Sequence, residues 1–151
     1  MSWAGATVAQ LGARAGAVAT PHLILIAEDD ADNREGYAEY LSFLGYEVAQ
    51  AVDGEQALEA ARRLHPDVIL LDLALPLRDG WEVARLVRAD PALRHILVIA
   101  LSACVFPDDI ERATASGCDL FLDKPCYPQT VAETIERLLE ERSGTPRVQR
   151  G

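Results

Sequence analysis

Acids in this chain stand at the ends of two apolar runs. Glu28-Asp29-Asp30 follows Leu23-Ile24-Leu25-Ile26-Ala27, and Asp72 follows Val68-Ile69-Leu70-Leu71. Lys124-Pro125 stands just past another short apolar stretch, and Lys124 is the only lysine in a chain otherwise supplied with arginine. In this order the charges suggest one site: acids that bind a metal, a carboxylate that accepts a group, and a cation that senses it. Glu28, Asp29 and Asp72, brought within a few ångströms, would repel one another unless a cation joined them. Hard oxygen ligands with room for water suit Mg2+ better than zinc or copper. A metal there would neutralise an incoming phosphoryl group and orient it against a carboxylate. Ser102 follows a further run, Ile96 to Leu101, and its hydroxyl could donate to a phosphoryl oxygen on Asp72. Taken singly, each acid is a helix cap or a solvated loop residue, Ser102 a cap and Lys124 a surface lysine. The set favours a site because each member follows its own buried run.

The runs themselves must be strands. Residues 23–27, 68–71 and 96–101 are continuous apolar stretches, the pattern of parallel strands covered on both faces. Val48 to Val52 is a weaker strand nearer an edge, and Leu120 to Leu122 is the last and shortest. Helical patterns lie between them. Tyr37, Leu41 and Leu44 share a face, and Gly45 stops that helix. Ala57, Leu58, Ala61 and Leu64 mark a second, ended by His65-Pro66. Val83, Leu86 and Val87 mark a third, ended before Pro91. Ile110, Ala113 and Thr114 mark a short fourth, closed by Gly117. Val131, Ile135, Leu138 and Leu139 mark a fifth, closed by Ser143-Gly144. Five strands alternating with five helices predict an open, doubly wound α/β sheet, with strand order 2-1-3-4-5 as the natural one at this size. In such a sheet the ligand site lies outside the carboxyl ends of the strands, at the switch point between strands one and three.

The chain has 151 residues, the size of one domain, and half of them are hydrophobic. Its net charge of −10 argues against nucleic-acid binding and against an anionic membrane surface. Cys104, Cys118 and Cys126 lack tight metal spacing, which fits reduced thiols in a cytoplasmic protein. No apolar run is long enough to span a membrane, and no signal peptide is expected. Residues 1–20 are rich in Ala and Gly and read as a flexible tail. Residues 21–142 read as the folded domain, and 143–151 as a short polar tail.

Several segments carry a more specific resemblance. Ile24-Leu25-Ile26-Ala27-Glu28-Asp29-Asp30, Leu70-Leu71-Asp72-Leu73-Ala74-Leu75-Pro76 with Asp79-Gly80, Ala100-Leu101-Ser102-Ala103, and Gly117-Cys118-Asp119 with Lys124-Pro125 resemble the receiver domain of two-component response regulators. The match runs from about Leu23 to Leu139. It implies a flavodoxin-like fold and a role for each matching residue. Asp72 would be the phosphoacceptor. Asp29 would bind Mg2+ directly, Glu28 through water, and the Ala74 backbone carbonyl would complete the protein ligands. Ser102 would be the switch hydroxyl, Lys124 the phosphate-pairing lysine, and Phe121 the switch aromatic. Pro76 and Gly80 would shape the loop after the phosphoacceptor. The implied partners are a sensor histidine kinase or a histidine phosphotransfer protein, and a downstream protein of unknown identity. Output would leave through the fourth helix, fifth strand and fifth helix, from a monomer or a phosphorylation-dependent homodimer. The resemblance implies a stand-alone switch and no turnover enzyme. The chain departs from the commonest pattern at Glu28, where Asp is frequent, and at Ala74 and Cys104, which flank the path of a hydrolytic water.

Three other readings compete. A pseudo-receiver would keep the fold and act without phosphate, but the complete set Glu28, Asp29, Asp72, Ser102 and Lys124 argues against it. A phosphatase of the haloacid-dehalogenase type would want an aspartate as general acid two residues after the nucleophile, where this chain has Ala74. A flavodoxin-like cofactor carrier would want a phosphate loop after strand one, where this chain is acidic.

Overall fold

Five parallel strands form one sheet in the order β2-β1-β3-β4-β5. They are β1 (Leu23–Ala27), β2 (Glu47–Ala51), β3 (Val68–Asp72), β4 (Leu97–Ser102) and β5 (Leu120–Asp123). The structure, a computed structural model, describes residues 21–103, 111 and 115–143. Parallel pairing aligns Ala27 with Ala51 and Leu71, Asp72 with Leu101, and Ser102 with Asp123. The carboxyl ends of the strands therefore lie side by side. β1 and β3 are central and buried almost throughout, which is why they read as unbroken apolar runs.

Among the described residues, four helices cover the two faces: α1 (Ala31–Phe43), α2 (Gly54–Leu64), α3 (Gly80–Ala89) and α4 (Pro128–Ser143). Successive side chains of a strand alternate between faces. Leu25, Ala27, Ile69 and Leu71 thus pack with α2 and α3, through Ala57, Leu58, Val83 and Val87. Ile24, Ile26, Leu70, Ile99 and Leu101 pack with α1 and α4, through Tyr37, Leu41, Val131 and Ile135. This is the doubly wound sheet that the alternation of patterns predicts. Three helices begin in the same way. Asp30, Asp53 and Asp79 sit in extended conformation and accept from the N–H of Asn33, Gln56 and Glu82 at 3.1, 2.7 and 2.9 Å. Each cap satisfies a donor that the first helical turn leaves unpaired. α4 opens instead on Pro128, whose missing N–H is harmless there.

Some boundaries differ from the sequence reading. β4 starts and ends one residue later than the apolar run, and β2 takes in Glu47 and ends at Ala51, leaving Val52 outside the strand and 36 % exposed. Leu44 does not share the buried face of Tyr37 and Leu41; it caps α1 and is exposed. Its N–H donates to the carbonyls of Tyr40 and Leu41, which tightens the last turn, and Gly45 then turns away at φ 104°. α2 ends on His65 in the left-handed region, followed by Pro66. Four helices are delineated among the described residues against five expected. The remaining one was expected around Ile110, Ala113 and Thr114, which lie outside the described residues; Glu111 and Ala115 are helical. Gly117 follows at φ 100°. Residues 1–20 and 144–151, expected to be tails, also lie outside the described residues, and α4 itself reaches Ser143. No helix among the described residues is long and apolar enough to cross a membrane.

Candidate functional site

An open cleft of about 490 Å3 lies at the carboxyl ends of the strands. Glu28 and Asp29 enter it directly after β1, Asp72 from the last position of β3, Ser102 from the last position of β4, and Lys124 from the residue after β5. Ala74 lines it from the loop after β3. All the charged residues singled out by position after an apolar run therefore reach one place, because parallel strands end on the same side of the sheet.

Glu28 and Asp72 are buried, at 1 % and 3 % exposure, whereas Asp29 is exposed. One carboxylate oxygen of each of the three lies within 4.8 Å of the others. Together they could hold a hard cation. The Lys124 ammonium reaches between two of them, 3.1 Å from Glu28 Oε1 and 3.1 Å from Asp72 Oδ2. The other Asp72 oxygen accepts the Ala74 N–H at 2.9 Å. The other Glu28 oxygen accepts the Asp30 N–H at 3.1 Å. Backbone contacts hold the frame: Glu28 N–H donates to the Ala51 carbonyl, Leu73 N–H to Leu101, and Lys124 N–H to Ser102. The Lys124–Pro125 peptide bond is cis.

The electrostatics follow from that burial. Desolvation pushes the Glu28 carboxyl up to about 7; the Asp30 N–H opposes it, the nearby Asp72 charge adds to it, and the Lys124 hydrogen bond opposes it. For Lys124, burial pulls downward, but hydrogen bonds to Glu28 and Asp72 outweigh it and leave the ammonium above its ordinary value. With all groups ionised, three carboxylates face one ammonium, so the cluster carries two uncompensated negative charges.

The same chain matches the profile of the response regulator receiver domain over residues 24–136. The chain belongs to the response regulator receiver family. The polar-differentiation response regulator DivK of Brucella ovis is 37% identical over 116 residues, covering 77% of this chain and 94% of its own. Among solved structures, the chemotaxis response regulator CheY4 of Vibrio cholerae superposes with a TM-score of 0.75 at 29% identity, over 79% of this chain and 99% of that one. The signal receiver domain of a histidine kinase from Syntrophus aciditrophicus does so with a TM-score of 0.73 at 32% identity, over 86% and 96% of the two chains.

In this receiver, the sequence reading left out several residues of the cleft. Asn33 and Trp81 line it, from the first turns of α1 and α3. The Arg34 guanidinium donates to the Glu28 carbonyl at 3.0 Å and so fixes the turn that carries the acids. Asn33 was detectable from its place three residues after a capping aspartate. Trp81 had no such signal beyond following Gly80. Asp30, part of the acidic cluster in sequence, caps α1 through the Asn33 N–H. Phe121 lies on β5 opposite Ala100, half-buried and outside the lining of the cleft.

Proposed function

We propose that the protein accepts a phosphoryl group on Asp72 from a histidine kinase or a histidine phosphotransfer protein, and that it signals by protein–protein contact. The observation that supports this most is the Lys124 ammonium held at 3.1 Å from both Glu28 and Asp72. It places a fixed positive charge against the carboxylate that would carry the phosphate. The residues also fit Mg2+. The donors are all oxygens, one side is open through exposed Asp29, and the fully ionised cluster has two negative charges to offer a divalent partner. Asp29 and Asp72 would hold the ion directly, with Glu28 through water and the Ala74 carbonyl as a further ligand. When bound, it supplies charge neutralisation for the equatorial phosphoryl oxygens.

The chain's own groups do the rest. The Ala74 N–H and Lys124 hold the two Asp72 oxygens and orient the carboxylate for attack on phosphorus. A P–O bond forms as the donor's P–N bond breaks, and the imidazole leaves with the electron pair. Lys124 then exchanges a carboxylate partner for a phosphoryl oxygen, and Ser102 donates to another. Ser102 ends β4, and Lys124 directly follows β5, the strand that carries Phe121. Displacement there gives a partner two surfaces to distinguish, which is the requirement for a switch. The test is treatment with acetyl phosphate and Mg2+, read by intact mass. One added phosphoryl group is expected, absent with EDTA and absent in Asp72→Asn. A phosphorylated Asp72→Asn protein overturns the assignment.

A further inference from the structure

Trp81 is the one aromatic side chain among the described residues that line the cleft. Its place is set by the residue before it. A Cβ on Gly80 would stand 2.5 Å from the Asp72 carbonyl oxygen and 2.7 Å from Leu73 Cα, so only glycine permits this approach. The Gly80 N–H also donates to the Leu73 carbonyl at 3.1 Å. The start of α3 is thereby in backbone contact with the residue that bears the acceptor carboxylate. The Asp79 cap, accepting from Glu82 N–H, closes the same turn. The Trp81 backbone is therefore held in a fixed relation to Asp72, and its side chain lines the same cleft. Ala74 lines the cleft two residues after Asp72, is exposed, and offers only a methyl group. Leu73, between them, is buried. The large apolar surface facing this part of the cleft comes from Trp81.

We infer that Trp81 is a wall that limits the access of water to a phosphoryl group on Asp72, and so sets how long the phosphorylated form lasts. The inference rests on Asp72 being the acceptor. In hydrolysis a water oxygen bonds to phosphorus while the bond from phosphorus to the Asp72 oxygen breaks. The carboxylate keeps the electron pair, inorganic phosphate leaves, and one proton passes to solvent. The water must approach roughly in line with the leaving oxygen. A bulky side chain held by the backbone at the cleft removes room for that approach. The two hydrogen bonds that orient the carboxylate come from Ala74 N–H and Lys124, not from Trp81. Phosphorylation and hydrolysis should therefore respond differently to its loss.

The experiment uses the full chain, acetyl phosphate and Mg2+, followed by rapid desalting and intact mass against time. Trp81→Ala should lose phosphate faster by on the order of tenfold, while its rate of phosphorylation stays within about twofold of the native value. Trp81→Phe should restore most of the lifetime. Equal lifetimes in the native protein and Trp81→Ala overturn the wall, as does a parallel change in both rates, which marks general loosening of the site. Should Trp81→Ala fail to fold, Trp81→Leu decides: a shortened lifetime supports the wall and a native lifetime overturns it. Failure to phosphorylate any variant, native included, is a different result and removes the Asp72 assignment itself.

Discussion

Two places in this molecule set one cation between two carboxylates, and they differ in nearly everything else. At the carboxyl ends of the strands, Lys124 lies 3.1 Å from Glu28 and 3.1 Å from Asp72, with both acid side chains 5 % exposed or less. In the loop after β3, Arg78 lies 2.9 Å from Glu55 and 2.9 Å from Glu82, whose side chains are 55 % and 40 % exposed. The shorter contacts are the weaker ones. Solvent screens the Arg78 cluster, and holding long side chains in one geometry opposes what attraction remains. The Glu28 and Asp72 carboxylates have largely left water, so each depends on Lys124 and its loss strands them. Arg78 sits on a loop secured by other means. Gly54 N–H donates to the Pro76 carbonyl, and the backbones come so close that a Cβ on Gly54 would stand 1.7 Å from the Arg78 carbonyl oxygen.

The largest expected effect is at Lys124. In EDTA at about pH 8, above the Glu28 value, Lys124→Met should destabilise the protein by about 3–4 kcal/mol, because two buried carboxylates lose their counter-charge. Denaturant unfolding measures it. A change below about 1 kcal/mol would place this cluster in the same class as the Arg78 one. Next, Gly54→Ala should destabilise by about 3 kcal/mol, since the new Cβ meets backbone that cannot rotate away. If it were tolerated, the close approach would not be what holds the loop.

The third prediction concerns metal and pH together. Mg2+ at a hundredfold excess over its dissociation constant should stabilise the native protein by about 2.7 kcal/mol, and Asp29→Ala should flatten that titration. Without metal, stability should fall as pH rises from about 4.5 to about 7. In that window native Glu28 keeps a proton that the unfolded chain has lost, so the contribution is complete below the unfolded value and gone above the folded one. For one proton the slope is at most about 1.4 kcal/mol per pH unit. Mg2+ should reverse the trend, because it favours the ionised carboxylate, and proton release on mixing near pH 6 would register it. An apo stability that rises across this window would contradict the raised Glu28 value. The smallest effect is at the exposed cluster. Arg78→Met should cost less than about 1 kcal/mol in the same unfolding assay, and that small loss should shrink further in high salt.

Much of this was legible in the residues. Apolar runs of strand length, with acids or a lysine directly after them, are enough to set the topology and to place the charges on one side of a parallel sheet. Their types, all hard oxygen donors with one ammonium, limit the chemistry. The family pattern across residues 24–136 assigns the order. Local signals also marked helix ends well where a residue has a strong backbone preference, as at Gly45 and His65-Pro66.

The sequence alone could not separate neighbours of equal type. Glu28, Asp29 and Asp30 are three consecutive acids, yet one is buried against Lys124, one faces solvent within ligand reach, and one caps a helix. That division depends on the direction in which the chain leaves β1, which the Glu28 N–H to Ala51 contact and Arg34 determine. Leu44 fits the helical period but is exposed, because the last turn tightens just before it. The rise in the Glu28 value needs both burial and the approach of Asp72, 44 positions away in the chain, and no local pattern encodes such a meeting. Trp81 reads as one more apolar residue in a helix; the tertiary structure, in which the Gly80 backbone closes on Asp72, brings it to the cleft. Composition, period and order determined which groups this protein could bring together. Long-range packing decided which of them left water, and in a site made of charge, leaving water determines the chemistry.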